Sequence, residues 1–139
     1  MQTIEKLAII EAVKALKARY CRLVDTKEWA AFEELFAPDA TFETPASKGV
    51  AVRGGAQIVG LIRQAIGDAA SLHLAYLPEL EVIDAHNVRG VWGLETVLDA
   101  RAAPGATPPR SYAFSFDSYV LSNGKWLVQS VRLAPVASR

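Results

Sequence analysis

The sequence is poor in cysteine and carries no excess of charge of either sign. Cys21 is the only cysteine among 139 residues, so an intrachain disulfide and a thiolate-rich metal site are both excluded. Basic and acidic residues balance at 15 each, and neither sign forms a run. This balance argues against a nucleic-acid binder or an anionic-membrane binder. Small molecules and other proteins remain as the expected partners.

Long apolar runs and common cofactor motifs are also missing. No segment comes close to the roughly 20 apolar residues of a membrane-spanning helix. The N-terminal charges Glu5, Lys6 and Glu11 do not fit a secretory signal. The two histidines, His73 and His86, lack the carboxylate spacing of a metal site, and no dinucleotide fingerprint or nucleophile elbow is found. We therefore expect a cytoplasmic protein that binds neither a metal nor a cofactor.

The apolar content is high enough for one hydrophobic core. Hydrophobic residues make up 51% of the sequence, so a single domain over residues 1–139 is expected to fold without cross-links. Helical patterns occupy the first half of the chain, and strand patterns occupy the second. This order indicates a segregated α+β fold and not an alternating α/β fold.

Two helices are predicted at the N-terminal end. Apolar residues over the range Thr3 to Val24 recur every three or four positions, which is the period of one face of an amphipathic helix. A short second helix is expected next, with Asp25 or Thr26 as its cap and Glu28 in a capping box. Pro38 is expected to end this helix, because proline cannot continue one.

A third helix is expected after the Gly54 and Gly55 pair, and the strands surround it. One short strand precedes this helix, and four long strands follow it. The predicted strands are Ala40–Glu43, Leu72–Ala85, Val88–Arg101, Ser111–Leu121 and Lys125–Val136. Antiparallel strands longer than about ten residues must curl. A curled sheet that is closed by three helices leaves a conical pocket between the two layers.

These segments together resemble the SnoaL-like group of the nuclear transport factor 2-like superfamily. The resemblance covers the whole chain and rests on the order of the stretches RYCRLVDTKEWAAFEELFAPDATFE, VRGGAQIVGLI, LHLAYLPELEV, RGVWGLE and DSYVLSNGKWLV. It implies a cone of three N-terminal helices packed on a strongly curved, mostly antiparallel sheet, with one pocket for a small, largely apolar molecule. Such sheets commonly cover their outer face by self-association, so we expect a homo-oligomer, either a dimer or a trimer.

The resemblance extends to polar residues of eliminating lyases in the superfamily, namely scytalone dehydratase, bile acid 7-alpha-dehydratase and hexachlorocyclohexane dehydrochlorinase. These enzymes use a carboxylate at the end of the first helix to orient a histidine on the strand after the third helix. The matching positions here are Asp25 and His73. Tyr20 matches a tyrosine of the bile acid enzyme. Arg132 lies one residue out of register with an arginine on the last strand of the dehydrochlorinase.

The resemblance therefore implies a cofactor-independent lyase or isomerase that acts on a cyclic, largely apolar substrate. In this hypothesis Asp25 orients His73, which removes a proton from carbon, and Tyr20 assists the loss of a hydroxyl group or stabilises an enolate. Histidine suits this role because it ordinarily titrates near neutral pH. The alternative is a non-catalytic ligand-binding or assembly module. In that case Asp25 only caps the second helix, and the pocket holds no convergent polar groups.

Several residues on the strands are candidates for substrate contact. Most aromatic side chains are expected to pack in the core, and a minority are expected to select the ligand by apolar contact. The substrate-binding candidates are Tyr76, Trp92, Phe114, Phe116 and Arg132. His86 lies in a predicted turn beside Asn87, so we expect it at the surface.

Overall fold

Three α-helices pack against one six-stranded sheet in the computed structural model, which describes residues 1–99 and 109–136. The helices are α1 (Thr3–Asp25), α2 (Trp29–Glu33) and α3 (Gly55–Ile66). The strands are β1 (Phe36–Glu43), β2 (Val52–Arg53), β3 (Ala70–Asp84), β4 (Asn87–Asp99), β5 (Arg110–Ser122) and β6 (Lys125–Pro135). A short 3-10 helix, Pro45–Ser47, lies between β1 and β2. No helix within the described ranges is long and apolar enough to cross a membrane.

The strands form one mixed sheet in the order β2, β1, β6, β5, β4, β3. Strand β1 runs parallel to β6, and the other neighbouring strands are antiparallel. Helices packed on this curved, mostly antiparallel sheet confirm the predicted α+β cone. The four long strands begin and end within two residues of the predicted positions, except at Arg101, which lies outside the described residues. Strand β2 has no counterpart in the sequence prediction.

Helix α1 ends in a turn that places its last residue beside the sheet. The backbone amide of Glu28 donates a hydrogen bond to the carbonyl of Leu23 at 3.0 Å. Between them Lys27 has a φ of 59°, so this is a Schellman turn with a left-handed residue after the helix. The ammonium group of Lys27 donates to the carbonyl of Ala69 at 2.7 Å, which fastens the end of α1 to the start of β3. Asp25, in the last turn of α1, is thereby held next to β3.

The predicted capping of the second helix is wrong. Helix α2 begins at Trp29, and within the described part of the chain Glu28 makes no side-chain capping hydrogen bond. Asp25 and Thr26 both belong to the end of α1, because the Schellman turn closes that helix before α2 starts. Pro38 does not end a helix but lies within β1, since the chain has already passed from helix to strand.

Alternation along β5 decides which side chains meet the helices. Ser115, Asp117 and Tyr119 are buried, with 0%, 5% and 1% of their surface exposed. Phe114 and Phe116 lie between them in the sequence and are 50% and 36% exposed. Successive side chains of a strand point to opposite faces of the sheet. The polar set therefore lies on the inner face, toward the helices, and the two phenylalanines lie on the outer face.

The hydrophobic core fills the space between the helices and the inner face of the sheet. Aromatic rings meet edge to face where α1, α2 and β1 converge, with centroid distances of 4.8 Å for Tyr20 and Phe32 and 5.2 Å for Phe32 and Phe36. Cys21 belongs to this core, and burial raises the pKa of its thiol. A thiol that stays protonated is a poor nucleophile, so Cys21 acts as a small packing residue.

Candidate active site

Asp25 and His73 meet where the end of α1 lies against β3. The Nδ1 atom of His73 is 2.6 Å from Oδ1 of Asp25. The same carboxylate accepts hydrogen bonds from the backbone amide of His73 and from the hydroxyl of Ser71, each at 2.9 Å. The side chains of His73 and Asp25 are only 14% and 15% exposed. The structure thus brings together the two residues that the resemblance implies, in one fixed and largely shielded geometry.

These donors explain why a carboxylate occupies the C-terminal end of a helix. The helix dipole disfavours an anion at that end by about 0.3–1 kcal/mol, whereas a hydrogen bond to a charged group contributes about 1.5–3 kcal/mol. The donors from β3 therefore outweigh the dipole. An ionised carboxylate only accepts hydrogen bonds, so Nδ1 of the neutral imidazole must carry the proton. The lone pair of a neutral His73 is then on Nε2, for which the described residues provide no hydrogen-bond partner.

His73 forms part of the wall of an internal pocket of about 220 Å³. The pocket lies between α1, α3 and the inner face of the sheet. Its apolar wall includes Val24, Phe42, Leu61, Ile62, Leu94 and Leu133. Its polar wall residues are Lys17, Tyr20, Thr44, His73, Thr96 and Ser115. A mostly apolar pocket with a few polar groups is typical of a site for a small molecule.

Tyr20 reaches the same pocket from α1, on the helix that also carries Asp25. Burial raises the pKa of its hydroxyl well above the ordinary value, and the negative charge of Asp117 raises it further. The hydroxyl therefore stays protonated at neutral pH and is available as a hydrogen-bond donor. No residue in the described ranges forms a hydrogen bond with it, so a bound molecule can accept that bond.

A second polar cluster lies on the inner face of β5, and the sequence analysis did not predict it. The ammonium group of Lys17 is 2.7 Å from Oδ2 of Asp117, and the two side chains are 2% and 1% exposed. Asp117 also accepts hydrogen bonds from the hydroxyls of Ser115 at 2.6 Å and Tyr119 at 2.5 Å. The indole N–H of Trp92 donates to the Tyr119 oxygen at 3.0 Å. Within the described residues each fully buried polar side-chain atom of this cluster has at least one hydrogen-bond partner.

The sequence carried a signal for this cluster. Lys17 lies three positions before Tyr20, on the apolar face of α1, where a lysine is rarely buried unless it is paired. Ser115 and Asp117 alternate with Phe114 and Phe116, and the aromatic pair was assigned to the pocket instead. A buried lysine needs a carboxylate partner, and that requirement favours the polar set of β5 as the inner one.

The predicted substrate contacts Phe114, Phe116 and Arg132 do not line the internal pocket. All three residues lie on the outer face of the sheet, and the guanidinium group of Arg132 stacks on the ring of Phe116 at 4.3 Å. Arg132 pairs with Phe116 across β5 and β6, while its neighbour Leu133 lines the pocket. Because side chains alternate along a strand, a shift of one residue moves a side chain from the pocket to the outer surface.

Tyr76 and Trp92 do not line the internal pocket, but both line a surface groove that also contains His73, so their predicted ligand contacts stay predictions. Tyr76 is 42% exposed on the outer face of β3, and its ring covers Gly93 so closely that an added Cβ would lie 2.4 Å from it. It borders a surface groove between α1 and β3 that also reaches His73. Trp92 is 5% exposed, and its indole N–H is used by Tyr119. Its role is to support the polar cluster.

The sequence from residue 5 to residue 132 matches the SnoaL-like domain family. The chain belongs to the SnoaL-like family. Within the described residues of this SnoaL-like protein, no group of three or more histidine, cysteine, aspartate or glutamate side chains is arranged to hold a metal ion. The polar groups available to a ligand in its pocket are therefore the imidazole, the phenol, the hydroxyls and the lysine described above.

Solved structures share the fold of this SnoaL-like protein over nearly its whole length. A candidate scytalone dehydratase from Novosphingobium aromaticivorans is 15% identical with a TM-score of 0.84, covering 98% of this chain and 89% of that one. A variant of Rv3472, a protein of unknown function from Mycobacterium tuberculosis, is 22% identical with a TM-score of 0.83, and the match covers 99% of this chain and 78% of that one. Hexachlorocyclohexane dehydrochlorinase LinA-type3 from Novosphingobium barchaimii is 16% identical with a TM-score of 0.76, and the match covers 99% of this chain and 97% of that one. At such identities the likeness shows the nuclear transport factor 2-like fold and not the reaction.

Proposed function

We propose that this protein is a cofactor-independent lyase or isomerase in which His73 removes a proton from carbon. The observation that carries the proposal is the 2.6 Å contact between His73 Nδ1 and Asp25 at the wall of the internal pocket. With the proton on Nδ1, Nε2 carries the free lone pair and is the basic atom available to a ligand. A positioned general base contributes typically about 10²- to 10⁴-fold to the rate. The dehydratase and dehydrochlorinase names among the structural neighbours are compatible with elimination.

The lyase form of the reaction removes a proton and a leaving group from adjacent carbons. Nε2 of His73 takes the proton, the C–H electron pair becomes the second bond of a C=C, and the C–O electron pair leaves with oxygen. The imidazolium then returns its proton to that oxygen, so the products are an alkene and water, and His73 is neutral again. In the isomerase form the proton returns to another carbon of the same molecule. In both forms Asp25 stabilises the imidazolium while it exists.

Tyr20 contributes as a hydrogen-bond donor and not as the source of the proton. Burial raises the pKa of its phenol, which makes loss of the proton unfavourable at neutral pH. An imidazolium is ordinarily a stronger acid than a phenol. The phenol of Tyr20 therefore donates a hydrogen bond to an oxygen of the substrate, and His73 supplies the proton that leaves with the product.

The pocket limits the size of the substrate. A cavity of about 150 Å³ accepts benzene, so a pocket of about 220 Å³ accepts one ring with substituents or two small fused rings. Its mostly apolar wall favours a ring that carries few polar groups. We therefore propose a small cyclic substrate, and we expect larger ring systems to bind poorly.

Exchange with solvent deuterium tests the proposed proton removal. The protein would be incubated in D₂O with single-ring ketones, hydroxyketones and halides, and mass spectrometry would report deuterium uptake and loss of water or halide. The wild-type protein is expected to catalyse exchange or elimination for part of this panel, and His73→Ala is expected to lose that activity. His86→Ala is the matched control, because His86 is exposed in the turn between β3 and β4. Compounds that bind without exchange or elimination would support the ligand-binding alternative.

We also propose that the protein forms a homo-oligomer through the outer face of its sheet. This face exposes large apolar side chains that are 36–50% accessible, namely Leu72, Leu74, Tyr76, Tyr112, Phe114 and Phe116. Contiguous exposed apolar surface of this kind usually marks an interaction site. A second copy of the chain is the proposed partner, because the same face on two copies can pack about a two-fold axis.

Light scattering after size-exclusion chromatography tests this assembly. The wild-type protein is expected to show a multiple of the 15.0 kDa chain mass, and Phe114→Asp is expected to shift it toward the monomer. The expected cause is the cost of burying an unpaired carboxylate in the interface. Ile4→Asp is a suitable control, because Ile4 is 76% exposed and belongs to α1, which is not part of the sheet. A monomeric wild-type protein would contradict the proposal.

A further inference from the structure

Lys17 brings a positive charge to the pocket that contains His73. Its side chain lies on the same wall as Tyr20 and Ser115, and only 2% of it is exposed. It is the only lysine or arginine among the described residues that line this pocket. Since the other walls are largely apolar, the charge of Lys17 is only weakly screened by water.

The contacts of Lys17 leave one donor for a ligand. An ammonium group has three hydrogens to donate. One is used by Asp117 at 2.7 Å, and a second is directed to the hydroxyl of Ser115 at a longer 3.4 Å. The nitrogen also lies 4.7 Å from the centroid of the Tyr20 ring. Asp117 therefore fixes the ammonium group in place, as Asp25 fixes the imidazole, while part of its donor capacity remains unused.

Proton removal by His73 ahead of the leaving group requires a cation or a hydrogen-bond donor such as Lys17. Taking a proton from carbon leaves an electron pair that is stable only if a substituent accepts it and a nearby donor or cation stabilises the resulting charge. Asp25 and Asp117 are both carboxylates and add negative charge near the pocket. On the described part of the pocket wall Lys17 is the one cation, and Tyr20 is a neutral donor next to it.

We infer that Lys17 is a second catalytic residue, which binds a negatively charged oxygen of the substrate in the pocket. This inference rests on the proposed function and narrows its substrate class to small cyclic carbonyl compounds with an acidic C–H next to the carbonyl. The C–H electron pair moves into the bond between the two carbons as His73 takes the proton, and the carbonyl π pair moves to oxygen. The resulting enolate oxygen accepts hydrogen bonds from Lys17 and Tyr20. The electron pair then returns to expel a hydroxyl from the next carbon, which leaves as water with the proton of the imidazolium; where a C=C is conjugated to the enolate, the far carbon of that C=C takes the proton instead.

The charged-oxygen site can be tested without knowing the natural substrate. The probe is p-nitrophenol, a single ring whose phenolate form imitates an enolate oxygen and has its own visible absorbance band. A titration of the wild-type protein across neutral pH is expected to show a preference of roughly 10- to 100-fold for the phenolate over the neutral phenol, which is the range for a hydrogen bond to a charged group. Lys17→Met is expected to lose this preference and to bind the neutral phenol instead.

One further variant separates this inference from the proposed function. His73→Ala is expected to keep the phenolate preference, because Lys17 and not an imidazolium supplies the positive charge. If the preference is lost in His73→Ala and kept in Lys17→Met, the assignment to Lys17 is overturned. Binding of p-nitrophenol as the neutral phenol by the wild-type protein, or no binding at all, also overturns it. Failure of His73→Ala to affect deuterium exchange would instead count against the proposed function alone.

A control for folding keeps the test decisive. Lys17→Met leaves Asp117 buried without its cation, so the double variant Lys17→Met with Asp117→Asn removes both charges together and retains an amide for Ser115 and Tyr119. This double variant is expected to be folded by circular dichroism and to lack the phenolate preference. Lys17→Arg retains the charge and is expected to retain part of the preference. A double variant that is folded and still prefers phenolate contradicts the inference.

Discussion

His73→Ala is expected to lower turnover of any substrate found for this protein by about 10²- to 10⁴-fold, the contribution of a positioned general base. The variant removes the imidazole of His73 from the pocket wall but leaves the apolar wall and the polar cluster of Lys17 unchanged. Binding of substrate is therefore expected to change little. The measurement is kcat and KM for the wild-type and variant proteins, with the loss expected in kcat.

Asp25→Asn is expected to cause a loss of similar size, because the two residues act as a unit. The amide can donate a hydrogen bond to Nδ1, which favours the tautomer with the proton on Nε2 and takes away the Nε2 lone pair. The double variant Asp25→Asn with His73→Ala is expected to be no worse than His73→Ala alone. Losses that multiply in the double variant would show that Asp25 does not act through His73. His86→Ala is again the control that should leave kcat unchanged.

Asp117→Ala is expected to lower the free energy of unfolding by about 3–5 kcal/mol, the cost of breaking a buried ion pair by removing one partner. The variant leaves the ammonium group of Lys17 buried without a counter-charge, since both side chains of the pair are at most 2% exposed. It also removes the acceptor for the hydroxyls of Ser115 and Tyr119. Urea denaturation followed by circular dichroism measures the difference.

A surface ion pair provides the matched control for Asp117. Glu81 lies on β3 and accepts a hydrogen bond at 3.3 Å from Arg89, and both side chains are 67% exposed. Glu81→Ala is expected to cost less than about 1 kcal/mol, because solvent screens such pairs. An Asp117→Ala cost as small as that of Glu81→Ala would mean that the Lys17 pair is not buried in solution, and the description of the inner face would then be wrong.

The sequence predicted the fold for physical reasons that can be stated, and the resemblance to a known family predicted that Asp25 and His73 meet. The three-to-four spacing on α1 and the alternation in the long strands each depend on local chain geometry, which a single sequence displays. Asp25 and His73 were matched by their places at the end of a helix and early in a strand. Those places are fixed once the elements are known, because the end of α1 packs on β3.

The faces of the strands were harder to predict. Phe114 and Phe116 are apolar, so the local pattern favours them as inner residues, and the polar alternatives Ser115 and Asp117 look like surface residues. Their burial depends on Lys17, which is about a hundred positions away in the sequence and 2.7 Å away from Asp117 in space. Such a pairing cannot be read from either segment alone. The outward position of Arg132 follows from the same alternation on β6.

The end of α1 shows a second limit of sequence reasoning. Asp25 and Thr26 are good residues for starting a helix, and that preference predicted a cap for α2. The chain instead closes α1 with a left-handed residue, Lys27, at a position where glycine is the usual signal. Contacts of Lys27 and Asp25 with the start of β3 stabilise this turn. Tertiary contacts thus override the local preference, and the carboxylate is free to reach His73.

Nitrogen NMR of the imidazole rings tests the central claim most directly. The chain has two histidines, and the exposed His86 serves as an internal reference for His73 in the same spectrum. For neutral His73 we predict a single tautomer with the proton on Nδ1 and an unprotonated Nε2, and loss of that preference in Asp25→Asn. A neutral His73 that carries its proton on Nε2, or that shows the same tautomer mixture as His86, would contradict the account.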